Sequence, residues 1–210
     1  MVRPTREIDS HLADTMIKKA CGPSKMLWLV FDMDGTLADL NGKEVMRPSL
    51  KLFFRRLMEN NMTIYFGIYS NNPVAANVEY VAAKVAKMMK GYPLFHMCFK
   101  IHYFHESRRS ASSDGNSGRP YEDKNYDIVK GAYEKCGHPV KSKKQVYFFD
   151  DIADFSIRNT IGNDNYVHVK EYVSPKDDTH SQEQATKRSA SASASASATP
   201  RKTRRKVKKE

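Results

Sequence analysis

Asp32 and Asp34 stand two apart in the run Phe31-Asp32-Met33-Asp34-Gly35-Thr36-Leu37, directly after the apolar stretch Met26–Phe31. In an extended chain alternate residues share a side, so both carboxylates can face one metal ion or one phosphate. Gly35 lets the backbone turn tightly behind them. Ser70-Asn71 follows a second apolar stretch and precedes a helical pattern, where free backbone N–H groups attract anions. Asp150-Asp151 ends a third apolar stretch, Val146-Tyr147-Phe148-Phe149, with Asp154 close by. Carboxylates crowded at one sheet edge repel each other. A divalent cation relieves that repulsion, and all-oxygen ligation favours Mg2+. Lys124, just ahead of another helical pattern, is a cation suited to balance the remaining charge and hold a phosphate.

Each group also has a plainer reading. Asp-x-Asp-Gly can be a turn, Ser70-Asn71 a helix cap, Asp150-Asp151 the start of a loop, and Asp154 a cap. Lys130 competes with Lys124 but lies inside the helical pattern rather than before it. His96, His102, His105 and His138 show no metal-ligand spacing among themselves and read as ordinary residues. The three cysteines, Cys21, Cys98 and Cys136, are odd in number and widely spaced. That pattern argues against a disulfide framework and a Cys-based zinc site, and it fits a reducing compartment, cytosol or nucleus.

The elements that must position these groups alternate between strand and helix. Met26–Phe31 reads as a buried strand. Residues 47–60 read as a helix, with Pro48 in its first turn and Leu50, Phe53, Phe54, Leu57 and Met58 on one face. Met62–Tyr69 is the next strand. A helix over 73–90 turns Val74, Val78, Val81, Val85 and Met88 inward and stops at Gly91. Leu94–Phe104 is a strand, Asp127–Cys136 a helix stopped by Gly137, Gln145–Phe149 a strand, Asp154–Ile161 a short helix and Tyr166–Val169 a final strand. This order predicts an α/β, Rossmann-like fold: a mostly parallel central sheet, helices on both faces, and ligands at the carboxyl ends of the strands.

The ordered motifs Asp-x-Asp-Gly-Thr, Ser-Asn, Lys and Asp-Asp, each after the expected element over about residues 26–170, resemble the haloacid dehalogenase-like superfamily of phosphotransferases. The resemblance implies that Asp32 attacks phosphorus in line and forms an aspartyl-phosphate, which splits one displacement into two easier ones. Asp34 would protonate the leaving oxygen and then activate water. Ser70, with Asn71, would hydrogen-bond the phosphoryl oxygens, and Lys124 would neutralise nucleophile and phosphate. Mg2+ would be held by Asp32, the carbonyl of Asp34 and Asp151, with Asp150 near it.

Many members of that superfamily close a cap over small substrates. Here 38 positions separate Asp32 from Ser70, and 54 separate Ser70 from Lys124. After the helices and strands, only Ala38–Met46, the size of a flap or hairpin, and a Ser-rich stretch over Ser107–Pro120, a mobile surface loop, remain. No large cap domain fits, and an open site favours a large substrate. The resemblance is therefore to the capless branch, which includes phosphatases of the RNA polymerase II C-terminal domain and NLI-interacting-factor-like proteins, with similar proteins in large DNA viruses such as iridoviruses. That branch typically carries a bulky or acidic residue where this chain has Gly35, and often Asp-Asn where it has Asp150-Asp151. The first expectation is a Mg2+-dependent phosphatase of phosphoproteins, Ser/Thr-directed. The alternatives are a phosphatase of nucleic-acid ends and a non-catalytic, nucleic-acid-associated scaffold on the same fold.

The chain has 210 residues, 35 Lys+Arg, 24 Asp+Glu and 40% hydrophobic residues, enough for a core. Three parts are expected: a helical N-terminal segment over 1–25 with Ile8, Leu12 and Ile17 as its stripe, the phosphatase-like domain over 26–173, and a disordered tail over 174–210. The tail combines an alternating Ser-Ala run, Ser189–Ala198, with a basic block over residues 201–209. That block suits weak, sequence-independent contact with nucleic acid or a nuclear address. No apolar run approaches the ~20 residues that span a bilayer, and no apolar signal segment opens the sequence.

Overall fold

The apolar run Met26–Phe31 forms β1, and all of its side chains but that of Met26 are buried. A strand buried on both faces needs a neighbour on each side and a layer on each face, and β1 has all four. The computed structural model of the protein describes residues 5–20, 25–40, 45–72, 74–102, 124–152 and 155–175. Within the unit Met1–Ser174, β1 is the middle of a five-stranded sheet with β4 (Thr63–Ser70), β5 (Phe95–His102), β6 (Val146–Asp150) and β7 (Tyr166–His168), in the order β5-β4-β1-β6-β7. All four pairings are parallel. The fold is thus an α/β, Rossmann-like one. The second unit, Pro175–Glu210, lies outside the described residues except for Pro175, and with it the Ser-Ala run and basic block. The Ser107–Pro120 stretch, Asp154, His105 and Cys21 also lie outside them.

Helices cover both faces. On one, α1 (Ser10–Lys19), α2 (Leu50–Glu59) and α3 (Ala75–Met88) bury Leu12, Phe53, Leu57, Val81 and Val85 against Leu29, Phe31, Phe66 and Phe149. The rings of Phe31 and Phe149 stack at 4.0 Å and those of Phe31 and Phe66 at 5.2 Å across adjacent strands. On the other face, α4 (Tyr126–Lys135) and α5 (Phe155–Ile161) bring Val129, Tyr133 and Ile161 against Trp28, Val30 and Phe148. Tyr133 reaches through this layer to donate to the backbone carbonyls of Leu29 or Tyr65, each 3.1 Å away.

Between β1 and α2 the chain forms an antiparallel hairpin of β2 (Ala38–Asp39) and β3 (Val45–Met46). Asp39 fixes its base by accepting from the Ser174 backbone N–H and hydroxyl at 2.8 and 2.7 Å.

Several expected boundaries move for identifiable reasons. α2 starts at Leu50, not at residue 47, because the preceding residues form a turn and Arg47 is drawn into the interior. Val74 is not inward: it is the exposed N-cap of α3. At the other end of α3, Met89 is buried while Met88 is half-buried. In α1, Met16 rather than Ile17 completes the buried stripe. β6 runs one residue further than expected, so Asp150 belongs to the sheet and only Asp151 follows it.

Candidate active site

β1, β4 and β6 end side by side, and their carboxyl ends bring residues distant in sequence together. Asp32 extends β1 by one rung: its backbone N–H donates to the Phe149 carbonyl at 2.8 Å. The chain then reverses, with Gly35 N–H donating to the Ala38 carbonyl and Leu37 N–H to the Met33 carbonyl, each at 2.9 Å. Gly35 has φ +68°, and a Cβ there would stand 2.4 Å from Asp151 Oδ2. Only glycine allows both the left-handed turn and that approach of the carboxylate.

Lys124 lies just ahead of α4 and is buried between two carboxylates. Its Nζ donates to Asp32 Oδ1 at 2.8 Å and to Asp150 Oδ2 at 2.6 Å. Its side chain is 5% exposed, whereas that of Lys130 is 50% exposed and pairs with Glu134 one helical turn on. Geometry therefore brings Lys124, not Lys130, to the carboxylates. Asp150 also accepts from the Ile152 backbone N–H at 2.9 Å. Asp151 is set by Thr36, whose hydroxyl donates to Asp151 Oδ1 and accepts from its backbone N–H, both at 3.0 Å. Ser70 is buried at the end of β4, and its Oγ accepts from Asn72 N–H at 3.1 Å. Asn71 lies half-buried beside it. The amide that reaches the carboxylates is that of Asn72, whose Nδ2 donates to Asp34 Oδ2 at 2.8 Å.

Thr36, Asn72 and Arg47 were not singled out as site residues by their sequence positions. Thr36 closes the Asp-x-Asp-Gly-Thr motif and Asn72 adjoins Ser70-Asn71, so membership of one motif and adjacency to another are the available signals. Arg47 is one of 35 Lys and Arg with no motif around it. It holds the acidic loop from behind: Nε donates to the Thr36 carbonyl at 2.8 Å, and Nη2 donates to the carbonyls of Gly35, at 2.8 Å, and Lys170. Nη1 meets Glu7 at 3.2 Å.

Four carboxylates with one buried lysine among them are electrostatically expensive. Burial raises the Asp34 carboxyl above its ordinary range; the Asn72 hydrogen bond pulls it back and the charge of Asp32 adds to the rise. Burial, then Asp32, likewise raises Asp151. Asp150 is raised by burial, with Lys124 opposing. Burial works against the Lys124 charge, but Asp32 and Asp150 outweigh it and hold the ammonium protonated. Oxygens of Asp32, Asp150 and Asp151 lie within 4.8 Å of one another. Such a hard, all-oxygen donor set with excess negative charge fits a divalent cation.

Compared with protein-family models, with curated proteins and with solved structures, the chain matches none. Among the described residues, no helix is long and apolar enough to cross a membrane.

Proposed function

We propose that the protein is a phosphomonoester hydrolase of the haloacid dehalogenase-like type, working through an aspartyl-phosphate on Asp32 with Mg2+ as its cation. The observation that carries this reading is the meeting of Asp32, Asp34, Lys124, Asp150 and Asp151 at the carboxyl edge of one parallel sheet, where ligands of such sheets bind.

Lys124 binds Oδ1 of Asp32, so it orients the carboxylate and lowers its repulsion toward a phosphate. The other oxygen of Asp32 attacks phosphorus and the bond from phosphorus to the ester oxygen breaks. Asp34, held by Asn72 and biased toward its protonated form by burial, gives its proton to the departing oxygen. A water molecule then attacks the aspartyl-phosphate, Asp34 takes up its proton, and inorganic phosphate leaves with Asp32 restored. The Ser70 hydroxyl, with Asn71 beside it, binds the phosphoryl oxygens. Asp32, the backbone carbonyl of Asp34 and Asp151 would hold Mg2+, with Asp150 near it, and the ion would supply charge neutralisation for the anionic nucleophile and phosphate. The 38 and 54 positions between the motifs leave no room for a large cap, and an open site favours a large substrate, here a residue on a protein.

The test is hydrolysis of a generic aryl phosphate, a phosphoserine peptide and a 3′-phosphorylated oligonucleotide, with and without Mg2+, beside Asp32→Asn. Metal-dependent release of phosphate from ester and peptide, abolished in Asp32→Asn, is expected. Turnover that survives Asp32→Asn would remove the nucleophile from this scheme, and activity confined to the oligonucleotide would replace the phosphoprotein by a nucleic-acid end.

A further inference from the structure

Sulfur and imidazole meet at a second place, on the sheet face covered by α4. One ligand atom each from Cys98, Cys136 and His138 lies within 4.8 Å of the other two. The wide spacing of the cysteines argued against a thiolate metal site, and the histidines read as ordinary; the fold brings together what the spacing kept apart. Two local features do this. The pairing of β4 with β5 runs Phe66↔Met97 and then Gly67↔Phe99, so Cys98 is an extra, bulged residue. A bulge re-aims side chains, and here Cys98 and Phe99 both pack on the α4 face. Gly67 makes this possible, since a Cβ there would stand 2.2 Å from the Phe99 ring. The second feature is the end of α4. Cys136 is its C-cap, Gly137 follows at φ +81°, and His138 N–H donates back to the Tyr133 carbonyl at 3.0 Å. This chain reversal turns His138 toward the sheet.

His138 is held on three sides. Its carbonyl accepts from Trp28 Nε1 at 3.0 Å, its N–H is used as above, and its ring stacks on Tyr65 at 4.5 Å. The ring of His96 stacks on the same tyrosine at 5.3 Å and lies 4.9 Å from the ring of His138. A cavity of about 560 Å3, lined by Cys98, Cys136, Phe99 and α4 residues, gives a solvated ion a path to both sulfurs.

We propose that Cys98, Cys136 and His138 bind a thiophilic divalent cation, Zn2+, with His96, whose ring lies 4.9 Å from that of His138, completing four-coordination. Ligand atoms of tetrahedral zinc stand about 3.5–3.8 Å apart, within the 4.8 Å that bounds the observed separations. Zinc uses all three groups, whereas a disulfide would use two and leave the oriented imidazole idle. This site is separate from the acidic cluster in place and in chemistry. Cys98 sits against the Phe66–Gly67 step of β4, three to four residues or roughly 10–13 Å from Ser70. Its sulfur and nitrogen donors select softer ions than carboxylates do. A zinc here ties β5 to the end of α4 and braces the element that carries Lys124 at its start.

The experiment uses the full chain, reduced, stripped with a chelator and titrated anaerobically with Co2+ and then Zn2+. One Co2+ per chain is expected to give an intense near-ultraviolet thiolate-to-cobalt band that Zn2+ abolishes by displacement, whatever further Co2+ the carboxylate cluster takes without such a band. Cys136→Ser, at a half-exposed helix end, should lose at least half of the band while keeping its far-ultraviolet circular dichroism, and His138→Gln should weaken binding by at least about tenfold. Asp32→Asn and Asp151→Asn should bind as the parent does. Zn2+ should raise the melting temperature of the parent and not of Cys136→Ser. The proposal is overturned if the reduced protein shows no thiolate band, if the band keeps its full intensity in Cys136→Ser, or if Cys98 and Cys136 resist reduction as a disulfide.

Discussion

Asp150 gives one carboxylate oxygen to Lys124 and the other to the Ile152 backbone, and it is fully enclosed. Asp151, next in the chain, is half-buried; Thr36 and its own peptide hold it, and Asp32 repels it. The two neighbours should therefore respond differently to substitution. Asp150→Ala leaves the buried Lys124 ammonium with one fewer counter-charge and is expected to lower unfolding stability by about 3 kcal/mol in denaturant titrations. Asp151→Asn keeps an acceptor for Thr36 and removes the repulsion. The folded-state pKa of Asp151 lies above its ordinary value, so its contribution to stability is complete below that ordinary value and is lost as pH rises through the folded one. Without divalent cation, Asp151→Asn should melt at a higher temperature than the parent at neutral pH, with the gap closing toward pH ~4, while the proposed phosphatase activity is lost. A lower melting temperature at neutral pH would show that Asp151 is not under electrostatic strain.

Where elements meet, Arg47 joins the acidic loop to two other segments. It threads from the turn before α2 to the carbonyls of Gly35, Thr36 and Lys170, and its guanidinium lies 5.4 Å from the Tyr172 ring centroid. Arg47→Lys keeps the charge and loses the planar fork, so it can satisfy at most part of this set. The expected result is a loss of about 1–3 kcal/mol in stability and a fall in kcat larger than any change in KM, because the loop carrying Asp32 and Asp34 loosens without losing its phosphate ligands. Equal kcat in Arg47→Lys and the parent would mean that the loop holds itself. Arg47 also marks where sequence legibility ends. The β1, β4 and β6 strands were readable because a strand buried on both faces is a short unbroken apolar run, and the acidic motifs were readable because they stand at the ends of those runs. Arg47 and Asn72 were not, since an arginine that binds carbonyls looks like any surface arginine and an amide one position along looks like its neighbour. The bulge at Cys98 was hidden for the same reason: it is a property of the pairing between β4 and β5, and periodicity within one strand carries no trace of it.

Across the whole chain the positive charge is uneven. Residues 174–210 hold ten Lys and Arg against four acids, and residues 1–173 hold 25 against 20. The proposed mechanism calls on none of the tail's cations, so the proposed catalysis and polyanion contact should be separable by truncation. Deleting residues 189–210 removes the seven cations of the basic block over 201–209. If all seven neutralise phosphates of a bound polyanion, each releases counterions, and the slope of log affinity against log salt concentration should flatten by about 5 in the truncated protein. The block contains no aromatic residue on which bases would stack, so binding should show little preference among single-stranded sequences. Hydrolysis of a small phosphate ester should be unchanged by the same deletion. Fluorescence anisotropy with a labelled oligonucleotide at several salt concentrations, paired with phosphate release, checks both halves. Unchanged salt dependence after truncation would place the polyanion contact on the net charge of residues 1–173 instead, and a parallel loss of hydrolysis would couple the tail to catalysis.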